Sequence, residues 1–410
     1  MSAKQIVVLG GGFAGLWSAH GAARKLDELG HGPDATEVTL VNRDGYHGIR
    51  VRNYQADLSG VRVPPAEVLG PAGVRRVEGT FTGIDLVGQA VTVAAADGQK
   101  TCRYDRLILA LGSQVVRPDI PGLAEHGFDV DTYDSAVRLE RHLRSLVGRP
   151  GFAGQWTVDV VGGGLTGIEA ATEMAGKLRA LPAPVNTTRP FRVILADHAP
   201  RVGSDMGDSA RPVIEEALAA LGVETRLGAR IVAIGPSSVR LESGEEIPAA
   251  TVVWCAGMLA NPLTRLFPVE HDRSGRMPVD AFMRVAGVPN AFAAGDVARA
   301  MVDDHHASVM SWQHGRPMGR FAGHNAVCDL FGLPMLPLRI DWYVTVLDLG
   351  AWGAVYTEGW DAHVIAQGEA AKKTKQIIIC QRIYPPLTGN RQEILAAAAP
   401  VVPPPPATYR

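Results

Sequence analysis

The chain has 410 residues, enough for two or three domains with ample core, and 40 Lys plus Arg against 42 Asp plus Glu, a net charge of −2 that leaves no electrostatic footprint for nucleic acid. Its four cysteines (Cys102, Cys255, Cys328, Cys380) lie far apart with no Cys-x-x-Cys pair, which argues against a metal site or a disulfide framework and for free thiols in a reducing compartment. No apolar run is long enough to span a bilayer, and the first strand is expected at about Gln5 with no room for a signal peptide, so a cytoplasmic location is expected.

In chain order, the apolar run Gln5–Leu9 feeds into Gly10-Gly11-Gly12-Phe13-Ala14-Gly15, and Leu16–Lys25 reads as a helix. Strand, glycines and helix in that order make a phosphate cradle. Gly10 permits the tight turn, Gly12 lets a pyrophosphate approach the backbone, and Gly15 lets the helix pack on the strand. The free N–H groups and positive end of the helix favour the anion by about 0.3–1 kcal/mol per charge. Glu37–Asn42 reads as the second strand, and Asn42 holds the strand-end position where an acid usually binds a ribose; an amide can still make one such bond. Residues 43–70 read as irregular, with Arg43, Tyr46, His47, Arg50 and Arg52 near the expected cofactor edge. Short β pieces follow over 79–104, and Tyr104–Ser113 reads as a buried strand ending at Ala110-Leu111-Gly112.

A second cradle, Val158–Val161 followed by Gly162-Gly163-Gly164-Leu165-Thr166-Gly167 and a helix through Met174, repeats the plan. The strand Phe191–Ala196 ends in Asp197, a helix spans about Ala210–Ala220, a meander runs over 228–247, and Thr251–Cys255 stops at Ala256-Gly257. The interval from Gly10 to Gly162 nearly equals that from Gly112 to Gly257, so the chain contains an internal duplication and two dinucleotide sites. Asp27–Thr36 and Leu181–Pro190 read as surface loops in the two crossovers. Pro289–Asp296 is an apolar strand ending in Gly295-Asp296. Residues 306–331 fit a long helix broken or kinked near Pro317, 340–357 a hairpin, and Asp361–Ile383 a helix ended by Pro385-Pro386. The tail from Ala399 is expected to be disordered.

These landmarks together resemble the two-dinucleotide-binding flavoproteins of the pyridine nucleotide-disulfide oxidoreductase superfamily, and among them the type II NADH:quinone oxidoreductases. The resemblance rests on Gly10–Gly15, Tyr46-His47, Tyr104-Asp105 with Ala110–Ser113, Gly162–Gly167 with Ile168-Glu169, Val253–Gly257 with Asn261-Pro262-Leu263, and Pro289-Asn290 with Ala293–Asp296. It implies an α/β fold of two Rossmann-like dinucleotide-binding domains plus a C-terminal α+β region. The expected division is an FAD domain over 1–120 and 270–335, an inserted NAD(P)H domain over 121–269, a C-terminal region over 336–398 and a tail over 399–410.

The resemblance also implies site residues. Gly10, Gly12, Phe13, Ala14, Gly15, Asn42, Arg43, His47, Ala110, Gly112, Gly295 and Asp296 are expected at FAD, and Gly162, Gly164, Gly167, Asp197 and Gly257 at NAD(P)H. Asp296 is expected to bind the ribitol, a role compatible with capping a helix. Asp197 predicts NADH over NADPH, because a carboxylate repels a 2′-phosphate, although Arg201 is nearby. Glu169, near flavin and nicotinamide in the family, and Gln313 are the expected catalytic residues; for Glu169 a solvated helix charge is the other reading. Ser308–Gly315 departs from the family pattern, with Trp312 beside Gln313. Lys372, Lys373 and Lys375 beside Ile377–Ile379 suit either a peripheral contact with an anionic membrane or a solvated face over an ordinary core. Positions 44–55 hold no cysteine pair, which excludes the disulfide-reductase branch. His47, His305, His306 and His314 are candidate proton relays.

The expected activity is hydride transfer from NADH to flavin, then electrons to a small-molecule acceptor of quinone type, by a monomer or homodimer. Two alternatives stay open: FAD acting on a specialised organic substrate, and a flavin-bound redox sensor.

Overall fold

Ile6–Leu9, Leu107–Leu109 and Val193–Ala196 are unbroken apolar runs, which suit strands covered on both faces, as in a parallel sheet between helices. The computed structural model, which describes residues 3–182 and 190–405, contains two such sheets. The strands that position the site are β1 (Lys4–Leu9), β2 (Thr36–Asn42), β3 (Arg75–Glu78), β4 (Arg106–Leu109), β5 (Gly127–Phe128), β6 (Thr157–Val161), β7 (Arg192–Asp197), β8 (Val223–Leu227), β9 (Thr251–Trp254), β10 (Ala291–Ala293), β11 (Val344–Asp348), β12 (Ala354–Glu358) and β13 (His363–Gln367). The helices are α1 (Phe13–Glu28), α2 (Leu165–Ala180), α3 (Gly207–Leu221), α4 (Trp312–Leu330) and α5 (Gly368–Ile377).

One parallel sheet has the order β10-β4-β1-β2-β3, the other β5-β9-β6-β7-β8. The two orders correspond. Each has a cradle strand (β1 or β6) at its centre, the next strand of its own half on one side, and the closing strand (β4 or β9) on the other. The duplication read from the glycines is therefore present in the topology, and each glycine turn sits where strand order reverses. Each half also carries a three-stranded antiparallel meander, within 80–103 and 231–248. The chain leaves the first half through Ser113–Val115 and returns through Met258–Ala260, and these two stretches pair antiparallel.

Helix α4 lies against α1 at unusually close range. A Cβ at Gly319 would come within 2.3 Å of the Ala14 carbonyl oxygen, and one at Gly323 within 2.0 Å of the Ser18 carbonyl oxygen. Only glycine permits that approach, which fixes the start of α4 beside the first cradle.

Several expected elements differ. The helix expected from 306 starts at Trp312, where the Ser311 hydroxyl caps it by accepting from the His314 N–H (3.3 Å), and it remains helical through Pro317. The first part of the helix expected over 361–383 is instead β13, whose alternating exposure and antiparallel pairing with β12 override local helix propensity. The helix begins only at Gly368 and ends in a wider turn over Ile378–Arg382. The expected hairpin at 340–357 is present as β11 and β12. Residues 399–405, expected to be disordered, run back to the first core, against which Val402 packs; 406–410 and most of the expected loop at 181–190 lie outside the described residues. A short helix at Arg391–Ala397, capped by Asn390, leads into that tail.

Asp159 in β6 is fully buried, and among the described residues neither carboxyl oxygen has a hydrogen-bond partner. Burial pushes its carboxyl up to about 7, against a weaker downward pull from Arg192. The folded state therefore holds the proton more tightly than the unfolded chain. The contribution of this group to stability is fully present below about pH 4 and is lost as pH rises toward 7, at 1.36 kcal/mol per pKa unit, on the order of 4 kcal/mol in all. Asp159→Val is expected to raise the urea midpoint at pH 8 and to flatten its dependence between pH 5 and 8; an unchanged pH slope would contradict this assignment.

Candidate active site

The first cradle is built as its residues require. Gly10 has φ +103°, and a Cβ there would meet the Ala110 carbonyl oxygen at 2.3 Å; a Cβ at Gly15 would meet the Gly10 carbonyl oxygen at 1.7 Å. At Gly12 a Cβ would meet nothing within 4 Å. The turn is thus crowded on its protein side and open on the other. Gly12 caps α1 with no side-chain bond, and the first return bond of the helix runs from the Leu16 N–H to the Gly12 carbonyl (2.9 Å). The N–H groups of Phe13, Ala14 and Gly15 therefore have no acceptor within the helix. This fits a dinucleotide pyrophosphate.

The peptide of Gly11 is held at both ends. Its N–H donates to Asn42 Oδ1 (2.8 Å), and its carbonyl lies 2.8 Å from His47 Nδ1. Asn42 Nδ2 donates to the Asp44 and Tyr46 carbonyls, which leaves only a second lone pair of Oδ1 for a ribose. His47 is buried, packs edge-on against Phe13, and is held below its ordinary value by desolvation. It stands behind the glycines, braces the turn and does not line the cavity.

Opposite the cradle, Asp296 accepts from the Ser113 hydroxyl (2.5 Å). Arg50 donates to the Ser113 carbonyl and hydroxyl (3.0 Å each) and pairs with Asp131, which also accepts from the Val115 N–H (3.1 Å). Burial raises the Asp296 carboxyl above its usual range, while Ser113 and Arg50 oppose the rise. This chain of bonds joins the loop after β2, the end of β4 and the turn after β10.

These elements enclose a cavity of about 920 Å³. Gly10, Gly12, Phe13, Ala14, Asn42 and Arg43 form one wall. Ala110, Gly112, Gly295, Asp296, Glu169 and Gln313 also face it. Gly15 and His47 lie behind the wall, and Gly162, Gly164, Gly167, Asp197 and Gly257 do not line it.

The second cradle repeats the first. Gly162 has φ +115°, and a Cβ at Gly167 would again meet a glycine carbonyl oxygen, that of Gly162, at 1.7 Å. Asp197 occupies the place of Asn42: Oδ2 accepts from the Gly163 N–H, and Oδ1 accepts from the Ala199 N–H (2.7 Å). The largely exposed Arg201 has only a distant contact with Asp208 (3.9 Å). The first turn of α2 reaches the shared cavity through Leu165, Thr166 and Glu169.

Glu169 is buried and not a solvated helix charge. It accepts from Lys375 Nζ (2.7 Å) and from the Asp348 N–H (3.1 Å), and Lys375 Nζ also donates to the Val346 carbonyl (2.7 Å). Burial pushes the Glu169 carboxyl up and the Lys375 ammonium pulls it down. Lys372 pairs with buried Asp348, which also accepts from the Tyr54 hydroxyl (3.0 Å). Ile378 and Ile379 are buried. Of the three lysines, Lys372 and Lys375 turn to Asp348 and Glu169 while Lys373 is exposed, and these isoleucines lie in the core, as a solvated face over a core requires. No helix among the described residues is long and apolar enough to cross a membrane.

With its carboxamide assigned the orientation in which both atoms find partners, Gln313 pairs with the Val344 backbone, Nε2 donating to the carbonyl (2.7 Å) and Oε1 accepting from the N–H (3.3 Å), which ties β11 to the start of α4 at the cavity. Trp312 lines the same wall. His314 is buried, accepts from the Val309 N–H (3.0 Å) and is held down to about 4 by desolvation, and so is neutral. His306 pairs with Asp303 and stacks on Trp360. Sequence reasoning missed Lys375 as the partner of Glu169, Asp131 as the partner of Arg50, and the tail residues Val402–Pro404 that reach the cavity. Only Arg50 had left a signal, as a basic residue near the expected cofactor edge.

Two glycine cradles at the switch points of two duplicated parallel sheets, the first lining the cavity and the second reaching it through the residues that open its helix, are the arrangement of a dinucleotide-dependent oxidoreductase. The chain belongs to the pyridine nucleotide-disulphide oxidoreductase family, whose model matches residues 4–319. Its four cysteines are all free. It is 59% identical over 392 residues to an NADH dehydrogenase-like protein of Mycobacterium tuberculosis, covering 96% of this chain and 97% of that one. It is 28% identical over 363 residues to a demethylphylloquinone reductase of Synechocystis, covering 86% of each. Among solved structures, NDH2 from Plasmodium falciparum superposes with a TM-score of 0.76 at 12% identity over 97% of each chain, which shows a shared fold. The chain is an oxidoreductase of this family, similar to NADH dehydrogenase-like proteins.

Lys375→Met would leave Glu169 buried and unpaired, at a cost of about 3–5 kcal/mol. Urea unfolding is expected to show that loss, with most of it recovered in Glu169→Gln/Lys375→Met. A single variant as stable as the parent would show that the pair does not hold helix α5 in place.

Proposed function

We propose that the chain is an FAD-dependent NADH dehydrogenase that passes electrons to a quinone-type acceptor. The observation that carries this reading is convergence: the first cradle and the first turn of α2 face the same cavity, so groups held by the two halves can meet there. FAD, when bound, supplies the two-electron relay. Gly10, Gly12 and the free N–H groups at the start of α1 would hold its pyrophosphate, and Asp296, fixed by Ser113, its ribitol. Asn42 offers one acceptor lone pair to its ribose.

NADH would lie along Gly162–Gly167 with its adenosine ribose at Asp197. The carboxylate disfavours a 2′-phosphate, so NADH is preferred over NADPH. Glu169, clamped by Lys375 and the Asp348 N–H, presents a fixed charge pair beside the first turn of α2 and excludes water from that corner. Gln313, committed to Val344, shapes the acceptor side and keeps β11 in contact with the start of α4. His47 and His314, buried and neutral, act through position. The name of one relative, an NADH dehydrogenase-like protein, supports NADH as donor, and that of another, a demethylphylloquinone reductase, supports a quinone as acceptor.

The test is anaerobic addition of NADH to the flavin-loaded protein, followed by a short-chain quinone. Bleaching of the flavin spectrum and recovery on adding quinone are expected. Bleaching without recovery would rule out the quinone, and no bleaching would rule out NADH as donor. NADPH is expected to be poorer by about tenfold or more in kcat/KM, as a charge conflict of about 1.4 kcal/mol with the 2′-phosphate would give. In Asp197→Ser that gap should narrow; equal use of both nucleotides by the parent protein would overturn the assigned role of Asp197.

A further inference from the structure

On the acceptor side of the cavity the charge balance is incomplete. Arg316 and Arg320, one turn apart on α4, both line the cavity, as does Arg382 from the turn after α5. Arg320 is 6% exposed. The guanidinium carbons of Arg316 and Arg320 lie 5.2 and 4.1 Å from the Trp17 ring centroid, and the Nε atom of each is buried with no hydrogen-bond partner. Among the described residues neither arginine makes an ion pair. The contrast with Arg50, which meets Asp131 and Ser113 in the same cavity, is direct.

Desolvation and the neighbouring guanidinium groups lower Arg316 to about 9, and desolvation lowers Arg320 to about 10, so both carry charge at neutral pH. Cation–π contact with one indole offsets only part of the cost of burying two unpaired cations. Planar guanidinium donors held at the edge of a cavity are suited to a carboxylate-type anion. Apolar and aromatic side chains, Trp312, Ile340, Trp342, Ile378 and Val402, line the same cavity. A ligand matching both features has a ring body and an acidic substituent.

We propose that Arg316 and Arg320 form the anion-binding end of the acceptor site, so that the physiological oxidant is a ring quinone bearing an acidic group. This rests on the reading of the cavity as the site of an NADH-dependent quinone reductase. Two electrons and a hydride proton from NADH, with one further proton from water, convert the quinone to its hydroquinone; the acidic group is unchanged and serves only in binding.

The probes are 1,4-naphthoquinone-2-sulfonate and uncharged 1,4-naphthoquinone, with flavin-loaded protein and NADH. In Arg320→Met and in Arg316→Met, the ratio of kcat/KM for the sulfonated over the uncharged quinone is expected to fall about tenfold or more, the loss typical of a charge-assisted hydrogen bond. Arg320→Lys should restore part of it. Binding is read separately, without NADH, from quenching of tryptophan fluorescence by the sulfonate, which should weaken by a similar factor in both Met variants. That titration decides the anion site even if NADH fails to bleach the flavin and the reductase reading falls. An unchanged ratio in both variants overturns the proposal. So does a drop in bound FAD per chain, which would assign the arginines to the phosphates of the cofactor. Competition by inorganic phosphate at concentrations matching the sulfonate would mark a site for free anions and overturn the ring-acid assignment.

Discussion

The contact on which this structure depends is made by an absent atom. Gly15 and Gly167 each sit where a Cβ would lie 1.7 Å from the carbonyl oxygen of the glycine that opens the turn. No rotamer change relieves a clash of that kind, because both partners are backbone. Each helix can therefore start directly over its strand, with its unpaired N–H groups aimed at the crevice where strand order reverses. The same device continues outward, with Gly319 and Gly323 bringing α4 onto α1 and placing the Gln313–Arg320 face at the edge of the first cradle. Strand, turn, helix and second helix are thus set by a series of missing side chains.

Much of this was legible in the sequence, because glycine patterns and apolar runs report on local backbone demands. Both cradles, both central strands and the duplication could be read directly. What could not be read depended on contacts between residues distant in sequence. His363–Gln367 is a strand only because β12 offers it an edge, and Lys375 is buried only because Glu169, some two hundred positions earlier, lies beneath it. The late start of α4 had a local signal in Ser311, and the short helix at Arg391–Ala397 had one in Asn390. The tail read as disordered from composition, yet Val402 packs on the first core. For the site, the glycine-bearing and strand-end positions were visible as motifs. The partners that hold the side chains, Ser113 on Asp296 and Val344 on Gln313, follow from the fold alone.

The C-terminal region behaves as a buttress. Its strands and its basic helix contribute Lys375 and Lys372 to carboxylates anchored on α2 and β11, and the isoleucines after that helix close a small core that includes Ile49 and Val63 from the first half. Two acidic groups draw Lys372 and Lys375 of that helix inward, while Lys373 stays at the surface. Charge pairing across three parts of the chain therefore determines which face of that helix meets water.

The paired stretches Ser113–Val115 and Met258–Ala260 carry a consequence for how such a chain could arise. Because they run antiparallel and side by side, the two ends of the intervening second half lie next to each other. A copy of the first half inserted between those neighbouring positions needs no new crossing of the sheet and breaks no strand order in either core. Tandem duplication would have left the copies end to end. Nesting one inside the other brings the first glycine turn and the start of the second half's helix to a common cavity.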